Sequence, residues 1–311
     1  MILCCGEALI DMIPAPTTDG GEGFVPHSGG AVFNTAIALG RLGARAGMVT
    51  GLSSDMFGLQ LAKSLRASHV DTSRVILSDR PTTLAFVKLK DGHASYSFFD
   101  ENSAGRMIAA TDLPTLPDEA TALFFGGISL AVEPCADTYA ALLAREGATR
   151  AVMMDPNIRP GFIKDTGRYR DRLSRMLESA DIAKVSDEDL DWLYPDAGDM
   201  PAQLAHLRAA GPAIVVLTRG AKGATATLAD GTEVHVDAPP VTVADTVGAG
   251  DTFNAGLLAS LSAQGMLSKA GLRALTPAQM HEALTLAART AAVTVSRAGA
   301  NPPWAEELQA P

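Results

Sequence analysis

Six apolar runs of strand length, at residues 2–5, 46–49, 122–125, 151–154, 181–185 and 213–217, recur along this chain, and helical patterns separate most of them. Apolar residues at three- and four-residue spacing mark those helices at 31–42, 57–67, 135–145, 169–179 and 188–194, with 253–261 and 278–296 beyond them. Short runs that are apolar throughout fit strands buried on both faces, and strands that alternate with helices pair in parallel. The pattern predicts an α/β fold with a doubly wound, mostly parallel central sheet flanked by helices. Ligands in such folds bind beyond the carboxyl ends of the strands, so the loops at those ends are the places to look for chemistry.

Residues 82–100 break the pattern. Two alternating stretches, 85–90 and 94–99, flank Asp91-Gly92, a strong hairpin turn signal. With a further short strand at 8–13, the hairpin predicts a small β-sheet lid, built from residues 8–27 and 82–103, over the mouth of the site. No internal repeat or low-complexity linker interrupts the chain, so residues 1–311 read as one domain.

Composition removes several function classes. The chain is 47% hydrophobic and 19% charged, the balance of an ordered globular protein, and its 5% aromatic content leaves the core to aliphatic side chains. A net charge of −10 without any long basic run argues against nucleic acid or an anionic membrane as partner. Cys4 and Cys5 are adjacent and Cys135 stands alone, which forms neither a disulfide framework nor a CxxC metal pair and suits a reducing cytoplasm. The chain starts on an apolar strand without the basic flank and cleavage pattern of a secretory leader, and no run approaches eighteen apolar residues.

Chemistry concentrates at Asp245-Thr246-Val247-Gly248-Ala249-Gly250-Asp251, just ahead of a helical stretch. Glycines at 248 and 250 let backbone amides face a ligand, and the helix N-terminus adds partial positive charge, so the turn suits a phosphate. Asp251 at the helix start, where the dipole favours an ionised carboxylate, is placed to take a proton from a hydroxyl beside that phosphate. Helix capping by Asp245, Thr246 or Asp251 accounts for the same residues.

A second glycine pair precedes a helix at Ser28-Gly29-Gly30, followed by Asn34 one turn in. It permits close approach of a ligand, and the Asn34 amide both donates and accepts, as a polyol requires. A helix start capped near Ser28 is the plainer reading. Asp11, inside an apolar strand, either meets water, as an isolated acid on an edge strand ordinarily does, or accepts from sugar hydroxyls. Arg159, in Asp155-Pro-Asn-Ile-Arg159, offers either a phosphate clamp or a salt bridge to Asp155. Lys184-Val-Ser-Asp-Glu-Asp189 sets acids at a strand end, where they either hold Mg²⁺ through water or cap a helix at Ser186. Thr218-Arg-Gly220-Ala-Lys-Gly223 reads as a nucleotide contact or a plain hairpin. The P-loop is excluded because no Gly-Lys pair occurs, and the dinucleotide fingerprint fails because Phe253 stands where its third glycine belongs.

Along essentially its whole length the chain resembles the ribokinase-like (PfkB) carbohydrate kinases. Gly29-Gly30…Asn34 running to Arg41-Leu42-Gly43 is similar to the family's N-terminal signature, and Asp245-Thr-Val-Gly-Ala-Gly-Asp251 is similar to its C-terminal one. The resemblance implies a β-lid, ATP as phosphate donor, and Asp251 as catalytic base, with Gly248, Ala249 and Gly250 as the anion hole. It also places Asp11, Gly30 and Asn34 on the sugar, with Gly29 beside them. Thr218, Gly220 and Gly223 fall along the nucleotide by the same carry-over, with Lys184 and Ser186 grouped on that side and Arg159 at the transferring phosphate. A monovalent cation such as K⁺ would fall near Asp245 and Thr246. The family's NxxE motif appears here as Ser186-Asp-Glu-Asp189, leaving Glu188 and Asp189 as alternatives for ordering water around Mg²⁺. Within the family, Gly6-Glu7-Ala-Leu-Ile-Asp11 and the stretches at 155–159 and 184–188 look most like bacterial fructokinases. The alternative acceptors are 2-keto-3-deoxygluconate, ribose or a nucleoside, a sugar acid calling for Lys88, Lys90 or Arg106. A silent sugar-binding module is the alternative of a different class, and an alternating lid face suggests a homodimer through the lid.

Overall fold

Eight strands form the central sheet, in the order Glu233–Val236, Ala224–Thr227, Ile214–Thr218, Ile182–Ser186, Ala151–Asp155, Ala122–Gly126, Ile2–Cys5 and Ala46–Val49. The last six in that order are parallel to their neighbours, and the first two are added antiparallel at one edge. The computed structural model describes residues 1–90 and 93–308, with all side chains among them except those of 88–90 and 93–96. All six strands expected from the apolar runs are present, with ends differing by about a residue. The two antiparallel strands were not foreseen, because Ala-Thr-Ala-Thr and Glu-Val-His-Val are short and half polar.

Strand pleating divides the core. Ile2 and Cys4 face one hydrophobic layer with the helices Ala31–Arg41, Ala249–Ala263 and Pro277–Val295. Leu3 and Cys5 face the other, with Cys135–Glu146, Thr166–Glu178 and Asp187–Leu193. The chain begins in mid-sheet, moves out to Ala46–Val49, then returns to the opposite side of the first strand at Ala122–Gly126. That reversal opens a crevice beyond Cys5 and Gly126, the general ligand position of a doubly wound sheet.

Above the crevice lies a four-stranded sheet ordered Glu22–Gly29, Leu9–Pro16, Leu84–Lys90 and His93–Phe99. Leu9–Pro16 is an inner strand there, not the edge strand expected for Asp11. The strand Glu22–Gly29 was also unforeseen, since Pro26, His27 and the glycines blur its alternation. Phe24, Phe86 and Phe99 form an edge-to-face chain with centroids 5.0 and 5.4 Å apart. Phe24 and Phe99 are 45% and 58% exposed. The predicted turn at Asp91-Gly92 lies outside the described residues.

Candidate active site

A cleft of about 280 Å³ occupies the crevice, walled by the lid, the start of the helix Ala31–Arg41 and the turn before Ala249–Ala263. Gly248 caps the second of these helices in a left-handed conformation, φ 78°, and a Cβ there would come within 2.6 Å of Ala300. The amides of Gly250 and Asp251 have no hydrogen-bond partner among the described residues, as befits a helix N-terminus awaiting an anion. Asp245 fastens the turn: its carboxylate accepts from Val247 N at 3.0 Å and from Gly299 N at 2.9 Å. Thr246 is exposed at the cleft wall.

Asp251 is buried, and Asn34 Nδ2 donates to its Oδ2 at 2.9 Å. Burial pushes its carboxyl up to about 7; the Asn34 hydrogen bond and nearby Lys184 oppose this, while Asp155 and Glu7 add to it. The helix dipole was expected to keep the group ionised, but desolvation outweighs it, leaving a base that titrates near neutrality. Asp11 projects into the cleft, and burial raises it to about 6. A Cβ at Gly29 would collide with Asp11 Oδ2, so the glycine makes room for the acid. Ser28 does not cap the helix. It lies in the strand beside Ser64, and Gly30 holds the N-cap position, at φ 106° and without a side-chain cap.

Asp155 pairs with Lys184 at 2.9 Å, not with Arg159, and Asn254 Nδ2 donates to the same carboxylate oxygen at 2.7 Å. Burial disfavours the Lys184 charge, but Asp155 and Asp189 more than offset it, so its pKa is raised. Arg159 stands exposed at the rim, donating to Ile158 O at 3.1 Å. Asp189 is buried and accepts three hydrogen bonds, from Ile158 N at 2.7 Å and from Ser186 N and Oγ at 3.1 and 2.8 Å. Ser186 returns a cap to Asp189 N, so this pair forms a capping box that also pins the 155–159 loop. Glu188 is exposed on the same turn. Thr218, Gly220 and Gly223 sit at the end of the neighbouring strand, outside the cleft wall; Thr218 Oγ1 donates to Val185 O, and a Cβ at Gly223 would collide with Val236 O. Arg106 is committed to Asp100 at 3.1 Å and to Glu133 O at 3.0 Å. The side chains of Lys88 and Lys90 lie outside the described set.

Sequence reasoning gave no role to four cleft or near-cleft groups. Glu7 and Gly127 line the cleft, as does Asn157, which adopts φ 43°, while Asn254 ties Asp155 to the helix Ala249–Ala263. The available signal was an acid just past the first strand and an amide one turn after Asp251. Neither type is rare enough to stand out.

A near-neutral carboxylate at a helix start with free amides, in a cleft also lined by Asp11 and Asn34, suits phosphoryl transfer to a hydroxyl, and the chain belongs to the pfkB family carbohydrate kinases, whose model matches residues 1–307. It is 55% identical over 269 residues to a fructokinase of Rhizobium leguminosarum bv. trifolii, covering 86% of this chain and 82% of the relative. The crystal structure of a fructokinase with bound ATP from Xylella fastidiosa superposes with a TM-score of 0.89 at 30% identity, covering 99% of this chain and 96% of that one. A fructokinase from Vibrio cholerae O395, solved with fructose, ADP and a calcium ion, gives 0.83 at 26% identity over 96% and 94% of the two chains.

Proposed function

We infer that this protein is an ATP-dependent fructokinase, a phosphotransferase with an alcohol group as acceptor. The observation that carries the reading is Asp251, buried beside unpartnered helix amides and aimed by Asn34, in a chain 55% identical to a fructokinase. Asp251 takes the proton of a sugar hydroxyl as that oxygen attacks the γ-phosphate in line, and the amides of Gly250 and Asp251 receive the developing charge. Asp11 and Asn34 hold the sugar hydroxyls between Gly29-Gly30 and the lid, which shields the site from water. Arg159 meets the phosphate chain from the rim, with Lys184 beneath it. Thr218, Gly220 and Gly223 extend the nucleotide side past the cleft.

Mg²⁺ carried in with the nucleotide would offset phosphate charge. No cluster of three or more His, Cys, Asp or Glu among the described residues would cage the ion, so its contacts here would run through water, with exposed Glu188 and the unpartnered buried Asp155 Oδ1 as the acids nearest the strand ends. Glu188, exposed where Asp189 is buried in its capping box, is the acid we assign to water-mediated contact. Asp245 and Thr246 are the groups we assign to a K⁺ ion. The commitment of Arg106 to Asp100 favours fructose over a sugar acid. The exposed Phe24–Phe86–Phe99 face supports a homodimer through the lid, and sedimentation showing only a 32.2 kDa species at micromolar concentration would refute it. Three buried free thiols suit a reducing cytoplasm.

The deciding experiment is ADP release with Mg²⁺ and ATP across fructose, ribose, 2-keto-3-deoxygluconate, tagatose and adenosine. Fructose-dependent turnover is expected; turnover on another acceptor alone moves the substrate, and binding of sugar without turnover on any acceptor overturns the enzyme.

A further inference from the structure

Glu7 follows the first strand and is 8% exposed, yet it is not itself one of the groups the phosphoryl-transfer scheme uses. Its Oε1 accepts from Ala31 N at 3.0 Å and its Oε2 from Ser129 N at 3.3 Å. Its backbone carbonyl accepts from Phe33 N at 3.2 Å. The helix that carries Asn34 thus obtains from Glu7 the cap that Gly30 lacks, because a helix leaves its first amides without internal partners. The second carboxylate oxygen holds the short turn Ile128–Leu130, which follows Gly127 on the opposite wall. Glycine is required around this bridge: a Cβ at Gly127 would collide with the Glu7 carboxylate, and one at Gly30 would stand 3.1 Å from Glu7 O.

We propose that Glu7 is a positioning residue that spans the sugar pocket, one carboxylate oxygen on each wall, and so sets the distance between the Asn34 helix and the Gly127 turn. The ionised carboxylate accepts best at both ends, and although burial raises the Glu7 pKa, the hydrogen bonds from Ser129 and Ala31 work against that rise. Glutamine offers one oxygen and turns an NH₂ toward the other amide, and aspartate, one methylene shorter, reaches one wall. A second consequence is electrostatic. Among the charged groups facing Asp251, Asp155 and Glu7 raise its proton affinity and Lys184 lowers it. Cys135 and Tyr139, which also feel the Glu7 charge, stay neutral through burial.

The inference rests on the kinase reading, and its test separates the two. Amide hydrogen exchange on the full chain without substrate reads the walls directly, whatever the acceptor proves to be. Glu7→Gln is expected to speed exchange in peptides covering 29–34 and 126–131 and to raise the sugar KM about tenfold or more, as for a buried amide left unpaired, with the ATP KM within twofold. It also moves the acid limb of kcat/KM to lower pH. Glu7→Asp, which keeps the charge, is expected to raise the sugar KM and leave the acid limb in place. Unchanged exchange at both walls, a KM rise shared equally by ATP, or an acid limb that moves alike in both variants overturns the proposal. Should Glu7→Gln fail to fold, Glu7→Asp decides the matter through exchange and the KM split. A parent enzyme inactive on fructose leaves the exchange result standing and refutes only the substrate.

Discussion

Replacing Asp251 by asparagine separates catalysis from stability with opposite signs. The side chain keeps its shape, and its amide oxygen can still accept the Asn34 hydrogen bond now made at 2.9 Å, so sugar affinity should stay within about tenfold. The base is gone, and kcat should fall by roughly 10² to 10⁴. Stability moves the other way. Because burial lifts the folded-state pKa from 3.8 to about 7, the folded chain holds this proton where the unfolded chain has released it. The stability this group contributes is full below pH 3.8 and drains away as pH rises to about 7. Asparagine carries no such penalty, so the variant's advantage grows with pH and levels off near 7. Between pH 5 and 7 it widens by up to about 2.7 kcal/mol, two pH units at roughly 1.36 kcal/mol each. With an unfolding entropy of about 0.65 kcal/mol/K for a chain of this size, that is roughly four degrees in Tm. Calorimetry at pH 5, 6, 7 and 8, beside single-turnover kinetics, checks both halves. A variant with near-parental turnover, or a Tm difference flat across this range, would refute the assignment of a buried, near-neutral base.

Three further outcomes follow from the same geometry. In the parent, kcat/KM should fall tenfold per unit below about pH 7, with a steeper limb below about pH 6 as Asp11 gains its proton; a profile flat to pH 5 contradicts this. Lys184→Met strips the buried Asp155 of its cation and should cost about 3–5 kcal/mol in denaturant unfolding, partly recovered by adding Asp155→Asn. Gly29→Ala drives a methyl into Asp11 Oδ2 and should raise the sugar KM tenfold or more, at roughly 1–3 kcal/mol of overpacking, with the ATP KM unmoved.

The parallel sheet was legible because strands such as Ile2–Cys5 and Ala122–Gly126 are apolar on both faces, and burial on both faces leaves no other reading. Glu22–Gly29 was not, since its residues face solvent on an edge and its hydrogen bonds depend on a partner strand, not on its own side chains. Glycine spacing announced the turn that opens the helix at Ala249, where Gly248 takes a left-handed conformation. The ionisation of Asp251 went the wrong way because a helix dipole is local and readable, whereas burial is set by Asn34, Asp155 and the whole packed layer. The sequence offered Arg159, four residues on, as the salt-bridge partner of Asp155; strand register, which one dimension hides, puts Lys184 there on the adjoining strand instead.

Asn34 and Asp251, in contact across the cleft, stand 217 positions apart, and Thr35 reaches Asp251 O over a similar span. In a growing chain Asn34 is therefore made roughly 10 to 40 s before Asp251 at ordinary rates of synthesis, and waits that long for its partner. The turn ahead of Asp251 is clasped only when Gly299 arrives to meet Asp245. The helix Ala31–Arg41 shares its core layer with Ala249–Ala263, so chains that end before the latter lack both the acid and the surface on which Asn34 is seated.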